Sequence, residues 1–267
     1  MARRSRCPRC GTRTSWAIRR GKRRCAGCRY EWRLGQLPLR LTRRDWGRLV
    51  QYFVLGLSSA RIAELTGLER RRVLRALGCL RQRMARDVPP VFSGVVEVDE
   101  TYLGGHWRNR RHRPRGSPRG RGTTLKTSVF GILCRGGHVW AEVVPDIRRQ
   151  TLQTLIRRRV QPGSLLCSDT WIGYTGIAAH GYVHRLVAHA EGHYRGGPGI
   201  HINGLEGFWG YLKRRLAAKG GIRRARLPLY LAEYVWRYNH RKESLLTQRR
   251  RLLTLLCLRS SILVAGM

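Results

Sequence analysis

Val95-Val96-Glu97-Val98-Asp99-Glu100-Thr101-Tyr102 alternates apolar and acidic residues as a half-buried strand does. Acids are scarce in this chain, which holds 15 Asp+Glu, five of them aspartates, against 54 Lys+Arg. Three acids within four positions are therefore a local concentration of the rarer charge. An aspartate set in a strand beside valines costs desolvation free energy that a partner charge or a metal ion must offset. A salt bridge to one of the many arginines would serve, and so would a divalent cation.

Pro89-Pro90 breaks the chain ahead of this strand, and Leu103-Gly104-Gly105 ends it. Residues 106–124 form a stretch rich in Gly, Pro and Arg, predicted as a basic arm that meets DNA through Arg108, Arg110 and Arg111. Residues 126–134 and 138–144 read as a hairpin turned at Gly136-Gly137, residues 150–160 as a helix, and residues 164–169 as a short strand ending at Asp169. A fifth strand is expected over 182–187. The stretch 201–213 reads as a helix with Leu205, Phe208, Trp209 and Leu212 on its apolar side. Asn203 and Glu206 share another face, and Lys213 lies two turns beyond Glu206 on that face. Three strands, a helix and a strand, with acids on the first and fourth strands, match the ribonuclease-H-like nucleotidyl-transferase fold, in which those two strands are parallel neighbours. Asp99, Asp169 and Glu206, one carboxylate from each of three segments, form a donor set for hard oxygen-seeking divalent cations.

Ahead of this region stand two knuckles, Cys7-Pro-Arg-Cys10 and Cys25-Ala-Gly-Cys28, fourteen residues apart. Each presents two thiolates from one tight turn, so Cys7, Cys10, Cys25 and Cys28 complete a tetrahedral zinc shell across a short hairpin. A segment of this size cannot bury enough apolar area to fold unaided, and a structural zinc site contributes on the order of 10 kcal/mol of apparent binding free energy. A closed shell of four thiolates leaves no open position for catalysis, so the zinc is expected to be structural. Two redox dithiols are the other reading. From Thr42 the period changes to that of a helix, with Trp46, Leu49, Val50, Phe53 and Val54 on one side. A short helix from Ser58, a turn at Gly67 and a longer helix opening with Arg70, Arg71, Arg72 and Arg75 read as a helix-turn-helix that sets those arginines against DNA. A helical hairpin with a solvated arginine face is the plainer alternative.

The formal charge of +39 cannot be neutralised internally and calls for an external polyanion. Eight tryptophans and 42% hydrophobic residues separate the chain from short basic coat-like proteins. The expected organisation is an α/β multidomain chain: a zinc ribbon over 1–37, a helix-turn-helix domain over 42–88, a catalytic domain over 91–244 built on a mixed five-stranded sheet with flanking helices, and a helical tail over 245–267. No apolar run reaches a membrane span and no secretory signal is read at the N-terminus, so a cytoplasmic, nucleoid-associated location is expected. Cys79, Cys134, Cys167 and Cys257 are expected as reduced thiols in cores. Trp171 and Tyr174, following the second aspartate, suit either stacking on an unpaired base or packing beneath the next element.

Taken together, the paired knuckles, Val98-Asp99-Glu100-Thr101-Tyr102-Leu103-Gly104-Gly105, Ser168-Asp169 with Tyr174, and Asn203-Gly204-Leu205-Glu206-Gly207-Phe208-Trp209 with Lys213 resemble the DDE transposases of bacterial insertion sequences. The resemblance is to the group, similar to Merlin transposons, that carries a zinc ribbon ahead of a retroviral-integrase-like domain, and it covers nearly the whole chain. It implies DNA cleavage at element ends and strand transfer by 3′-hydroxyl attack on target DNA. It implies two Mg2+ or Mn2+ ions, roughly 3.5 to 4 Å apart, sharing Asp99, with Asp169 holding one and Glu206 the other beside Asn203. Lys213 is then expected on a phosphate next to the cleaved bond, and Glu97 either tunes the pocket or pairs with an arginine. The implied partners are double-stranded DNA, as terminal inverted repeats and target, and further copies of the chain as a homodimer or higher oligomer on DNA. The alternative is a non-catalytic DNA-binding protein derived from a transposase.

Overall fold

The computed structural model describes residues 7, 9–10, 12–19, 22–33, 37–104, 126–187 and 201–257. The arm with Arg108, Arg110 and Arg111, and the stretch 188–200 with its histidines, lie outside the described residues. The chain divides into two compact units, one of residues up to Arg83 together with those from Glu243 onward, the other Met84–Lys242.

In the first unit, β1 (Ser15–Ile18), β2 (Lys22–Cys25) and β3 (Glu31–Arg33) form a small antiparallel sheet in that order. Its core is little more than Cys7, Cys25 and Trp32, as expected of a module too short to bury a core of its own. Helix α1 (Arg43–Val54) opens on a capping box: the Thr42 hydroxyl accepts from the Asp45 amide at 3.1 Å, and the Asp45 carboxylate accepts from the Thr42 amide at 3.1 Å. Trp46, Leu49, Val50, Phe53 and Val54 are buried, the stripe read from the sequence. Helix α2 (Ser59–Thr66) is capped by Ser58 and closes at Gly67, which takes the left-handed conformation, and α3 (Arg70–Met84) follows. Arg70, Arg71 and Arg75 are exposed at the start of α3. Arg72 is half-buried and donates to the carbonyls of Leu39 and Arg40 at 3.2 and 3.3 Å, so its guanidinium is engaged by the protein's own backbone.

The second unit is built around β4 (Val95–Leu103). It pairs antiparallel with β5 (Thr127–Cys134), which pairs antiparallel with β6 (Val139–Val143). On its other side β4 runs parallel to β7 (Leu165–Ser168), and β7 parallel to β8 (Val183–Leu186). The resulting order, β6-β5-β4-β7-β8, is that of the ribonuclease-H-like fold. Alternation along the strands builds two cores. Val96, Val98, Phe130 and Ile132 face α4 (Arg149–Arg159), burying Leu152 and Ile156, while Leu103, Val129 and Leu133 face α5 (Asn203–Ala217) and α6 (Leu227–Asn239). The β4 to β7 connection passes through two strands and α4 before returning parallel, as a parallel pair requires.

Helix α7 (Leu245–Cys257), expected as a tail, lies against α1 in the first unit and buries Gln248, Leu252 and Leu256. The four scattered cysteines are unpaired, but only Cys167 is fully buried; Cys79 and Cys134 are half-buried and Cys257 is exposed, so the expectation of thiols in cores holds for one of them. Cys257 ends a helix whose apolar stripe is carried by Leu252 and Leu256 instead.

Candidate active site

Asp99 sits at the middle of β4, on the face covered by α5, opposite Gly131 in the register of β5. A Cβ on Gly131 would lie 2.6 Å from the Trp209 ring, so the absence of a side chain there lets the indole lie across the sheet. The Trp209 Nε1–H then donates to Asp99 Oδ2 at 2.8 Å and fixes the carboxylate's orientation. Asp169 follows β7 directly. The β4 to β7 register, Glu97 opposite Cys167, carried on two residues brings Asp169 level with Asp99. Asp169 thus lies at the carboxyl end of β7, where open α/β sheets place their sites, and Asp99 lies just past the stretch of β4 that pairs with β7. The Asp169 Oδ1 accepts from the Trp171 amide at 3.0 Å, a turn that holds it at the strand end.

The third acid, Glu206, lies in the first turn of α5, where the helix dipole favours a carboxylate. That turn is fixed by Glu97. The cap residue Ile202 has no side chain able to satisfy the first amides of α5, and the Glu97 carboxylate does so from β4, accepting from the Leu205 amide at 2.9 Å. Glu97 is fully buried and pairs with the Arg135 guanidinium at 2.9 Å, with His201 Nδ1 at 3.3 Å. Arg135 also donates to the His201 carbonyl at 2.6 Å. Of the two roles open to Glu97 in the sequence, the arginine pair is the one formed. Through Leu205 this network sets the residue that precedes Glu206. Asn203 begins α5, and Lys213 is exposed on it.

Burial first, and then the charges of Asp169 and Glu206, push the Asp99 carboxyl up to about 6 against the lowering effect of the Trp209 hydrogen bond. Glu100, on the opposite face of the strand, is pushed up to about 7, first by burial and then by Asp169 and Asp99. Its carboxylate accepts from the Tyr174 hydroxyl at 2.5 Å. Tyr174 is wholly buried in the α4-side core, so of its two sequence readings packing is the one realised. Among the described residues, Asp99, Glu100 and Asp169 form no ion pair, which in a chain of this charge marks the site as a local excess of negative charge.

Two clusters therefore stand as candidate metal centres, and they differ in closeness. The Cys7, Cys10, Cys25 and Cys28 sulfurs all lie within 4.8 Å of one another, with Cys7–Cys28 at 3.6 Å and Cys10–Cys25 at 3.4 Å. Tetrahedral zinc at about 2.3 Å from each sulfur spaces them by about 3.8 Å, so the set fits a zinc ribbon and is far too open for disulfides. Among the described residues this is the only group of three or more that meets the 4.8 Å spacing. Asp99, Asp169 and Glu206 stand further apart, near enough for each neighbour's charge to act on Asp99. Their all-oxygen donor set fits hard divalent cations rather than zinc. His184 bonds the Ser168 hydroxyl at 2.9 Å beside Asp169.

Gly131, Trp209, Tyr174 and Arg135 support the site in ways the sequence alone did not assign. Gly131 carried a readable signal, since a glycine inside an apolar strand marks a close backbone approach.

A sheet of this order with acids gathered at its parallel strand ends defines the ribonuclease-H-like class. Residues 91–239 match the family model of the ISXO2-like transposase domain. An uncharacterized transposase-like protein of Haemophilus influenzae is 34% identical over 106 residues, covering 38% of this chain and 81% of the relative. The chain belongs to the ISXO2-like transposase family. Within the described residues no helix is long and apolar enough to cross a membrane.

Proposed function

We propose that this chain cleaves DNA at the ends of a mobile element and joins the freed 3′-hydroxyl to a target duplex. The observation that carries this reading is Asp99: a half-buried carboxylate without a cationic partner, raised first by burial and then by the charges of Asp169 after β7 and Glu206 on α5. A protein that only bound DNA would gain nothing from carboxylates that repel phosphates. Asp99, Asp169 and Glu206 would hold two divalent cations, with Asn203 beside them. When bound, such ions supply a deprotonated attacking oxygen and neutralise charge on the leaving oxygen.

The chain's own residues contribute orientation. Trp209 points Asp99, the Trp171 amide points Asp169, and Glu97 anchors the turn of α5 that presents Glu206. Lys213, exposed on α5, neutralises a phosphate near the cleaved bond. Zinc, held by Cys7, Cys10, Cys25 and Cys28, folds the ribbon. Arg70, Arg71 and Arg75 of α3, with the arm bearing Arg108, Arg110 and Arg111, hold the duplex, and the working form on DNA contains at least two copies of the chain.

The test is purified protein with Mg2+ or Mn2+ on duplexes carrying the element's terminal repeats. Wild type is expected to nick and join them. Asp99→Ala and Asp169→Ala are expected to reduce both steps to background while retaining DNA binding in a mobility-shift assay. Equal cleavage by wild type and both variants would sink the reading, and binding without cleavage by wild type would favour the non-catalytic alternative.

A further inference from the structure

Between Asp169 and α4's partner core runs a short turn, residues 170–176, that is fixed from beneath and apolar on top. Tyr174 anchors it through the Glu100 carboxylate. Gln153 of α4 donates to the carbonyls of Gly173 and Thr175 at 3.4 and 2.9 Å. The Trp171 amide is tied to Asp169, and the Trp171 indole N–H donates to the Ile147 carbonyl at 3.4 Å. A Cβ on Gly173 would come within 2.8 Å of the Trp171 ring, so a residue without one lets the ring lie down over the turn. Held this firmly, the turn still leaves Trp171 41% and Ile172 71% exposed, and Ile172 is the most exposed large apolar side chain among the described residues.

Rigid exposed apolar groups two to three residues from a carboxylate that serves phosphodiester chemistry constrain what can cover them. A DNA duplex presents phosphates and sugars outward; its broad apolar surfaces are the faces of the bases, reachable only where the stack opens. Side chains such as Ile act as wedges between base steps, and aromatic rings receive the base that is freed. Resting on the activity proposed above, we propose that Ile172 and Trp171 form a wedge and platform that open the duplex next to the cleaved bond, Ile172 entering the base step and Trp171 stacking on the unpaired nucleobase.

The experiment compares two forms of the duplex that wild type cleaves, one fully paired and one carrying a two-nucleotide mismatch beside the cleaved bond. If opening is the role, Trp171→Ala and Ile172→Ser slow cleavage of the paired duplex about 5- to 150-fold, the range set by base–aromatic stacking, and cleave the mismatched duplex at near wild-type rates. Trp171→Phe keeps most of the wild-type rate on both. Permanganate reactivity of thymines beside the bond, measured on an Asp99→Ala background, rises on binding and loses that rise when Ile172→Ser is added. Equal slowing on both duplexes would overturn the proposal, and with a change in sedimentation it would assign the tip to contact with a second copy. Unchanged rates on both would overturn it as well. Because Ile172 is so exposed, Ile172→Ser tests the idea even where Trp171→Ala unfolds. A wild type that cleaves neither duplex removes the activity beneath the proposal, whereas one that cleaves both regardless of these substitutions removes the wedge alone.

Discussion

Glu97 and Asp99 stand two residues apart on the same side of β4, and their surroundings are opposite. Glu97 is the more deeply buried, yet its carboxylate meets an arginine, a histidine nitrogen and a backbone amide. Asp99 keeps part of its surface in water and receives one indole hydrogen bond, and the charges reaching it come from other acids. Depth of burial thus does not separate these two acids; the sign of the neighbouring charge does. The charge of Glu97 is met by the protein's own groups, and that of Asp99 is not.

The sharpest way to probe this contrast is to neutralise each acid. Glu97→Ala removes the carboxylate that pairs with the half-buried Arg135 and accepts from the Leu205 amide, and is expected to cost about 3 kcal/mol in urea or thermal melts. Asp99→Asn removes a charge that burial disfavours, so its stability at pH 7 in the absence of divalent ions is expected to equal or exceed wild type. Similar losses for the two variants would erase the distinction.

Next in size is the response to pH. Asp99 at about 6 and Glu100 at about 7 lie above the ordinary carboxylate range, so the folded protein binds protons more tightly than the unfolded chain. Their contribution is fully present below about pH 4 and is lost as pH rises through 6 to 7. Metal-free protein should therefore lose on the order of 3 kcal/mol per group relative to its low-pH contribution, followed as a falling melting temperature between pH 5 and pH 8. Mn2+ titrated at pH 8 should restore it, and calorimetric Mn2+ affinity should weaken as pH falls through 6. A flat melting curve over that interval would mean the acids have cationic company after all. The smallest effect is reserved for a pair of the ordinary kind. Arg61 and Glu64 meet at 2.8 Å on the exposed side of α2, and replacing either by alanine should shift stability by less than about 0.5 kcal/mol.

Much of this arrangement is visible along the chain. Alternation in 95–102, the capping sequence at Thr42 and the two cysteine knuckles each encode a local structure within a few residues, and local rules read them. The candidate acids draw attention by their rarity among 54 basic residues. What stayed hidden depends on pairings across long separations. Arg135 is one arginine among many until the hairpin carries it to Glu97. Tyr174 resembles any aromatic near the second aspartate until the core closes over it. The destination of α7 is set by which apolar stripe it meets, and α1 lies about two hundred residues away in the chain.

That last meeting has a temporal meaning. Helix α1 emerges from the ribosome early, but the surface that covers it is translated only after the entire sheet and both its cores have been made. The first unit cannot finish until the second has already had time to fold, so a polypeptide interrupted within α7 would carry a complete five-stranded sheet and an uncovered α1.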